Sequence, residues 1–144
     1  MKILVMNGPN LNFLGIREKE VYGDRDYAAL SSLIVEKSRE YGIDVEVWQS
    51  NHEGAMIDKL QEAFYNKTDG IVINPGAYTH YSYALHDALK SLEGIKKVEV
   101  HLSDINEREE FRKVSVTAPA CDMQIVGHGF DGYVEALQWL IKNS

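Results

Sequence analysis

Cysteine is nearly missing from this chain of 144 residues, and the one thiol, Cys121, excludes an internal disulfide framework. With no second thiol and no ligand spacing beside it, Cys121 is expected to be a buried or inert residue rather than part of a zinc site. Long hydrophobic runs are lacking too. None approaches the roughly 20 apolar residues of a membrane span, and the opening Met1-Lys2-Ile3-Leu4-Val5 carries no signal-peptide cleavage region, so a cytoplasmic protein with no membrane partner is expected. Positive charge is in deficit, with 15 Lys and Arg against 22 Asp and Glu, a net charge of −7. That balance, without a basic stripe interleaved with aromatics, argues against a nucleic-acid partner. Internal repeats, low-complexity tracts and linkers are absent. What remains is a 16.3 kDa chain with 44% apolar residues, enough to bury one core and too short for two, so one domain over 1–144 is expected.

Short β-rich runs alternate with helical periodicity, the pattern of βα units that cover both faces of a parallel sheet. Five units can be counted, with strands expected at 2–6, 44–48, 70–73, 97–101 and 124–126. The first helix is expected to start on an Asp26 cap, to put Leu30, Leu33, Ile34 and Tyr41 on one face, and to stop at Gly42. Ile57, Leu60 and Phe64 form a second apolar stripe. Tyr81, Ala84, Leu85, Ala88 and Leu92 form a third, and Tyr133, Val134, Leu137, Leu140 and Ile141 a fourth. Helical spacing assigns the aromatic residues among them to core packing.

From Gly8 to Arg25 neither periodicity is visible, although βα connections usually take only a few residues. Loops of this length are commonly functional. Gly15 and Gly23 bracket the stretch as hinges of a lid over about 12–24, with Arg17 and Tyr22 riding between them.

In open α/β sheets ligands bind beyond the carboxyl ends of the strands. Those ends carry Asn7 and Asn10, then Gln49, Ser50, Asn51 and His52, then Asn74, Thr79 and His80, then His101 and Ser103. Asn and Ser serve equally as turn formers and helix caps, and for Asn7, Ser50 and Asn51 that reading stands level with the functional one. Turn chemistry has no use for the two histidines, and their convergence with neutral hydrogen-bonding groups suits a polyhydroxylated small molecule. Nucleotide-phosphate loops of the Gly-x-x-x-x-Gly-Lys-Ser/Thr or Gly-x-Gly-x-x-Gly type are missing. The first strand ends in Asn7-Gly8-Pro9-Asn10 rather than the acidic cluster of a phosphate-accepting receiver. The five histidines never repeat with carboxylates at a ligand spacing, apart from the adjacent His52-Glu53. No metal or other cofactor is expected.

Asn7-Gly8-Pro9-Asn10-Leu11-Asn12, Leu14-Gly15-Ile16-Arg17 and Val21-Tyr22-Gly23 open a series of separated motifs. Gln49 to Gly54, Ile73 to His80, Ala84 to Ala88, and Val98 to Ser103 with Arg108 to Arg112 continue it. Along nearly its whole length the chain resembles the type II 3-dehydroquinate dehydratases. The resemblance implies a flavodoxin-like α/β fold of three layers with a five-stranded parallel sheet, and a homo-oligomer, a dodecamer arranged as a tetramer of trimers. It implies loss of water from 3-dehydroquinate to give 3-dehydroshikimate on the shikimate route to aromatic amino acids. Carried over, Tyr22 is the base that removes a proton beside the ketone, Arg17 the cation that makes it a phenolate, and Asn10 the organiser of the enolate oxygen through water. His101 protonates the departing hydroxyl, and Glu99 orients its imidazole. Asn74, His80 and Arg112 hold ring hydroxyls, while Leu102 and Ser103 offer donors to the carboxylate, with Ser103 expected at the start of a helix whose dipole favours an anion. Asp87 is implied to reach a neighbouring subunit's site. Glu109 and Glu110 are expected on a solvated helical face, and Arg108 stays open between that face and the site.

The family pattern is broken at Lys19, where proline is common, at Met123, often glycine, and at Tyr81 and His128, and Met123 puts the turn before the last strand in doubt. Two rivals stand beside the dehydratase. One is a non-catalytic small-ligand binding protein on the same fold, which turnover of 3-dehydroquinate would discriminate against. The other is a lysine imine dehydratase, for which the only strand-associated candidate is Lys97, at a strand start rather than an end.

Overall fold

A computed structural model of the chain describes residues 1–16 and 25–144. Five strands, β1 (Lys2–Asn7), β2 (Asp44–Gln49), β3 (Gly70–Asn74), β4 (Lys96–His101) and β5 (Met123–Val126), form one sheet in the order β2-β1-β3-β4-β5. All four pairings are parallel. This is the strand order of flavodoxin-like folds, and the expected strands agree with it to within one residue. Met123 is the first residue of β5, paired with Val98.

Helices cover both faces: α1 (Tyr27–Glu40) and α4 (Asp131–Lys142) one side, α2 (Glu53–Tyr65) and α3 (Tyr83–Lys90) the other. A parallel strand buried on both faces must be apolar throughout, and β1 meets that demand. Ile3 and Val5 enter the core under α1 and α4, while Leu4 and Met6 enter the one under α2 and α3.

Helix α1 begins as its sequence indicates, with the Asp26 carboxylate accepting the Ala29 N–H at 2.8 Å, and it ends at Gly42, whose φ of 70° suits a residue without a Cβ. Its fully buried contacts are Leu30 and Ile34. On α2 the expected stripe is turned. Met56, Leu60 and Ala63 are the buried positions, and Phe64 is 52% exposed. The spacing 56, 60, 63 satisfies the helical period as well as 57, 60, 64 does, and the sheet selects the frame that buries the methionine. Tyr81 also lies outside the core, because α3 starts only after Ser82, which caps it by accepting the Leu85 N–H at 3.0 Å. On α4 Tyr133, Leu137 and Leu140 are fully buried, whereas Ile141 faces outward.

The fourth βα unit differs from expectation: among the described residues no α-helix joins β4 to β5. The connection instead makes three 3-10 turns, at Ile105–Glu107, Glu110–Arg112 and Ala118–Ala120. Val114, Val116 and Thr117 are β-branched and Pro119 follows, a composition that disfavours a helix. Cys121 packs half-buried against the core of α2 and α3, and burial pushes its thiol pKa up, which fits the inert role read from sequence. Among the described residues no helix is long and apolar enough to cross a membrane.

Candidate active site

Strands β1 and β3 end in register at Asn7 and Asn74. The turns that follow are pressed together: the Gly8 N–H donates to the Asn74 carbonyl at 2.8 Å, and a Cβ on Gly8 would stand 2.5 Å from the Pro75 carbonyl oxygen. Gly76, at φ 60°, faces Pro9 from the opposite turn. Behind both strand ends lies the fully buried Tyr133. Its hydroxyl donates to Asn7 Oδ1 at 2.6 Å and accepts from Asn74 Nδ2 at 2.9 Å, while Asn74 Oδ1 accepts the Gly76 N–H at 3.1 Å. Asn7 is thus committed to architecture. So are Gln49, which donates to Gly8 O at 3.1 Å and Asn51 Oδ1 at 3.0 Å, and Ser50, whose hydroxyl accepts the His52 N–H at 3.0 Å. Asn51 Oδ1 also receives the Asn10 N–H at 3.0 Å and so holds the turn that presents Asn10. Asn10 adopts a left-handed conformation, φ 69°, which asparagine tolerates better than most residues.

One cleft at this edge of the sheet brings together Asn10, Asn74, His80, His101, Leu102, Ser103 and Arg112. Arg108, left open by the sequence, lines it as well, with Nη1 donating to the Ser103 hydroxyl at 3.2 Å. Half-buried His80 donates from Nδ1 to the Val114 carbonyl at 2.7 Å, because a carbonyl only accepts. Burial holds the ring's pKa below the usual histidine range, and the positive charges of His101, Arg112 and Arg108 act in the same direction. A neutral His80 with its proton on Nδ1 keeps Nε2 as an acceptor, suited to a ligand hydroxyl. Arg112 is held by Glu109 at 2.6 Å and lies over the Phe111 ring. The helix expected at Ser103 is only the Ile105–Glu107 3-10 turn, and Asp104, not Ser103, caps it. Three residues build little dipole, so any carboxylate bound there depends on hydrogen bonds and the nearby guanidinium groups. Glu109 and Glu110 are solvated as read from sequence, but on a 3-10 turn.

His101 stands two residues after Glu99 on β4, which puts both side chains on one face. Its Nε2 donates to Glu99 Oε2 at 2.8 Å, leaving Nδ1 as the other proton-carrying position of the ring. Glu99 is wholly buried, yet it does not stand alone. Ser115 Oγ at 2.8 Å, Gln124 Nε2 at 2.9 Å and the Thr117 hydroxyl also donate to its carboxylate. Burial alone would push its pKa up, but the hydrogen bonds and charge of His101, with the bonds from Thr117 and Gln124, outweigh that and hold it below the usual carboxylate range. A carboxyl with a lowered folded-state pKa adds stability above its unfolded value of about 4.5, and that stability is lost as pH falls through the folded value. The urea midpoints of wild type and Glu99→Gln should therefore lie furthest apart near neutrality and approach each other below about pH 4. A gap of constant size across that range would show that Glu99 is not held as a carboxylate.

Asp87 is exposed on α3 and does not line this chain's cleft. Arg17, Tyr22 and most of the expected lid lie outside the described residues, as does Lys19. Ser115, Thr117, Gln124 and the hydroxyl function of Tyr133 were not read as site features from sequence. Among the described residues no group of three or more His, Cys, Asp or Glu is placed to hold a metal ion.

The chain matches the family model for dehydroquinase class II over residues 1–141. It is 63% identical over 141 residues to a 3-dehydroquinate dehydratase of Lachnospira eligens, covering 98% of this chain and 96% of that one. It is 60% identical over 142 residues to a second, from Lachnoclostridium phytofermentans, covering 99% and 97%. Among solved structures, a type II dehydroquinase from Butyrivibrio crossotus superposes with a TM-score of 0.97 at 64% identity, over 100% of this chain and 98% of that one. A cleft of neutral polar groups, two histidines and guanidinium side chains at the carboxyl edge of a β2-β1-β3-β4-β5 sheet thus coincides with a match along nearly the whole sequence, and the chain belongs to the class II dehydroquinase family.

Proposed function

We propose that this chain dehydrates 3-dehydroquinate to 3-dehydroshikimate in the shikimate pathway, by anti elimination through an enolate. Family membership supports the reaction. The observation that carries the site assignment is His101 at the cleft wall, backed by a buried Glu99 carboxylate. An imidazole held this way can deliver a proton without itself needing to bind substrate tightly.

The Tyr22 phenolate takes a proton from the carbon beside the ketone, and the electron pair moves onto the ketone oxygen. Asn10 steadies that enolate oxygen through a water molecule. As the enolate collapses, the carbon–oxygen bond on the opposite face breaks, and His101 supplies the proton with which the hydroxyl leaves as water. Proton return from Tyr22 to His101 through solvent closes the cycle. Asn74, Arg112 and the Nε2 acceptor of His80 hold ring hydroxyls, and Leu102 and Ser103 hold the carboxylate through backbone and hydroxyl donors. Arg17 is the cation that favours the phenolate form of Tyr22. We place the assembly as a cytoplasmic dodecamer, a tetramer of trimers, in which Asp87 reaches a neighbouring subunit's cleft. Its exposure on α3, outside its own chain's cleft, is compatible with that role.

The test is incubation of the folded protein with 3-dehydroquinate while the ultraviolet absorbance of the conjugated product is followed. Turnover that survives borohydride supports the enolate route, and a flat trace from folded protein would favour a binding protein on the same fold.

A further inference from the structure

We infer that Thr117, with Ser115 and Gln124, positions the acid of this reaction by clamping Glu99 so that the His101 ring has one orientation. The inference rests on the proposed role of His101 as proton donor.

The protons around Glu99 can be counted. An ionised carboxylate only accepts, and it offers about four lone-pair sites. Four donors meet Glu99: Thr117 at Oε1, and His101, Ser115 and Gln124 at Oε2. Ser115 and Thr117 have one hydroxyl proton each, and both give it to the carboxylate. The fully buried Thr79 hydroxyl lies 2.7 Å from each of them and must therefore donate to one of the two, since neither has a proton left to give it. A single negative charge thus sets the direction of the Ser115 and Thr117 hydroxyls and makes Thr79 a donor.

The segment carrying Ser115 and Thr117 cannot drift. His80 Nδ1 donates to the Val114 carbonyl at 2.7 Å, the Val116 N–H to the Thr79 carbonyl at 2.7 Å, and His86 Nδ1 to the Val116 carbonyl at 2.8 Å. The clamp is fastened to the same turn that carries the ligand-facing His80. Thr117 is the decisive member because Oε1 has no other side-chain donor among these four. Without it a buried oxygen loses its partner and the carboxylate is free to pivot, taking the imidazole with it.

His101 acts on the departing hydroxyl as the bond breaks, so misalignment should appear in kcat and not in KM. The experiment compares steady-state turnover of 3-dehydroquinate by Thr117→Val, which keeps the shape, Thr117→Ser, which keeps the hydroxyl, His101→Ala, and the Thr117→Val/His101→Ala double variant. Thr117→Val should lose about 10- to 100-fold in kcat with KM within about twofold, Thr117→Ser should recover most of the loss, and the double variant should be no slower than His101→Ala. Should Thr117→Val not fold by circular dichroism, Gln124→Met, which removes the bond arriving from β5, should lower kcat by a smaller factor with KM unchanged, since Oε2 keeps His101 and Ser115, and an unchanged kcat there would overturn the clamp. An unchanged kcat, a loss expressed in KM, failure of serine to rescue, or additivity with His101→Ala would overturn the clamp. If His101→Ala turned over at the wild-type rate, the acid assignment itself would fall. If it were slow while Thr117→Val kept full kcat, only the clamp would.

Discussion

Tyr22→Phe should lower the turnover of 3-dehydroquinate by about 10² to 10⁴, the range that a positioned general base contributes, while leaving the fold and the affinity for substrate nearly unchanged. The substitution removes one oxygen, the atom proposed to accept the proton, and keeps the ring. A phenol ordinarily holds its proton up to a pKa of about 10, so to act near neutrality it must be favoured as the anion by roughly 3 to 4 kcal/mol. One guanidinium about 4 Å away, at an effective dielectric near 20, supplies on the order of 4 kcal/mol, provided a closed lid keeps screening water out. Arg17 would suit the requirement, because it stays protonated and could not compete for the proton that Tyr22 is proposed to remove. Steady-state kinetics on the purified variant, with circular dichroism as the folding control, checks the prediction. A kcat within a few-fold of wild type would remove Tyr22 from the role of base.

The second large effect is expected at His101. His101→Ala should cost about 10² to 10⁴ in kcat, because the leaving hydroxyl must then depart unprotonated or take its proton from water. The loss should not come from collapse of the site, since Glu99 retains the Ser115, Thr117 and Gln124 donors when the imidazole is gone. Added imidazole should restore part of the rate by entering the space vacated at the cleft wall. Full activity without His101, or a loss accompanied by a large fall in the thermal midpoint, would mean that the residue serves the fold rather than the elimination.

Much of the fold can be read from the sequence because a parallel strand covered on both faces leaves a plain signature. Ile3 to Met6 and Ile71 to Ile73 are continuous apolar runs, and all of these residues are buried. The face of α2 was less legible, since Met56 and Ile57 are both apolar and only the sheet decides between them. The periodicity predicts another helix-bearing unit between β4 and β5, whereas the connection follows an irregular path that depends on bonds made elsewhere. Val116 is held by Thr79, and Ser115 and Thr117 by Glu99. The cleft follows from topology, so Asn74, His80 and His101 could be named from their places at strand ends. Their supports could not. Gln124 meets Glu99 across 25 positions, and Tyr133 looks from its helical spacing like any other core aromatic, its hydroxyl being invisible to periodicity.

That hydroxyl has a consequence for how the catalytic edge comes into being. It joins Asn7, near the beginning of the chain, to a residue 126 positions later, and through the same oxygen it restrains Asn74. A fragment ending before α4 would keep every described residue that lines the cleft and still leave Asn74 Nδ2 without its tyrosine partner. The cleft therefore gains its last support only from the final helix, which follows the last of its lining residues, Arg112, in the chain.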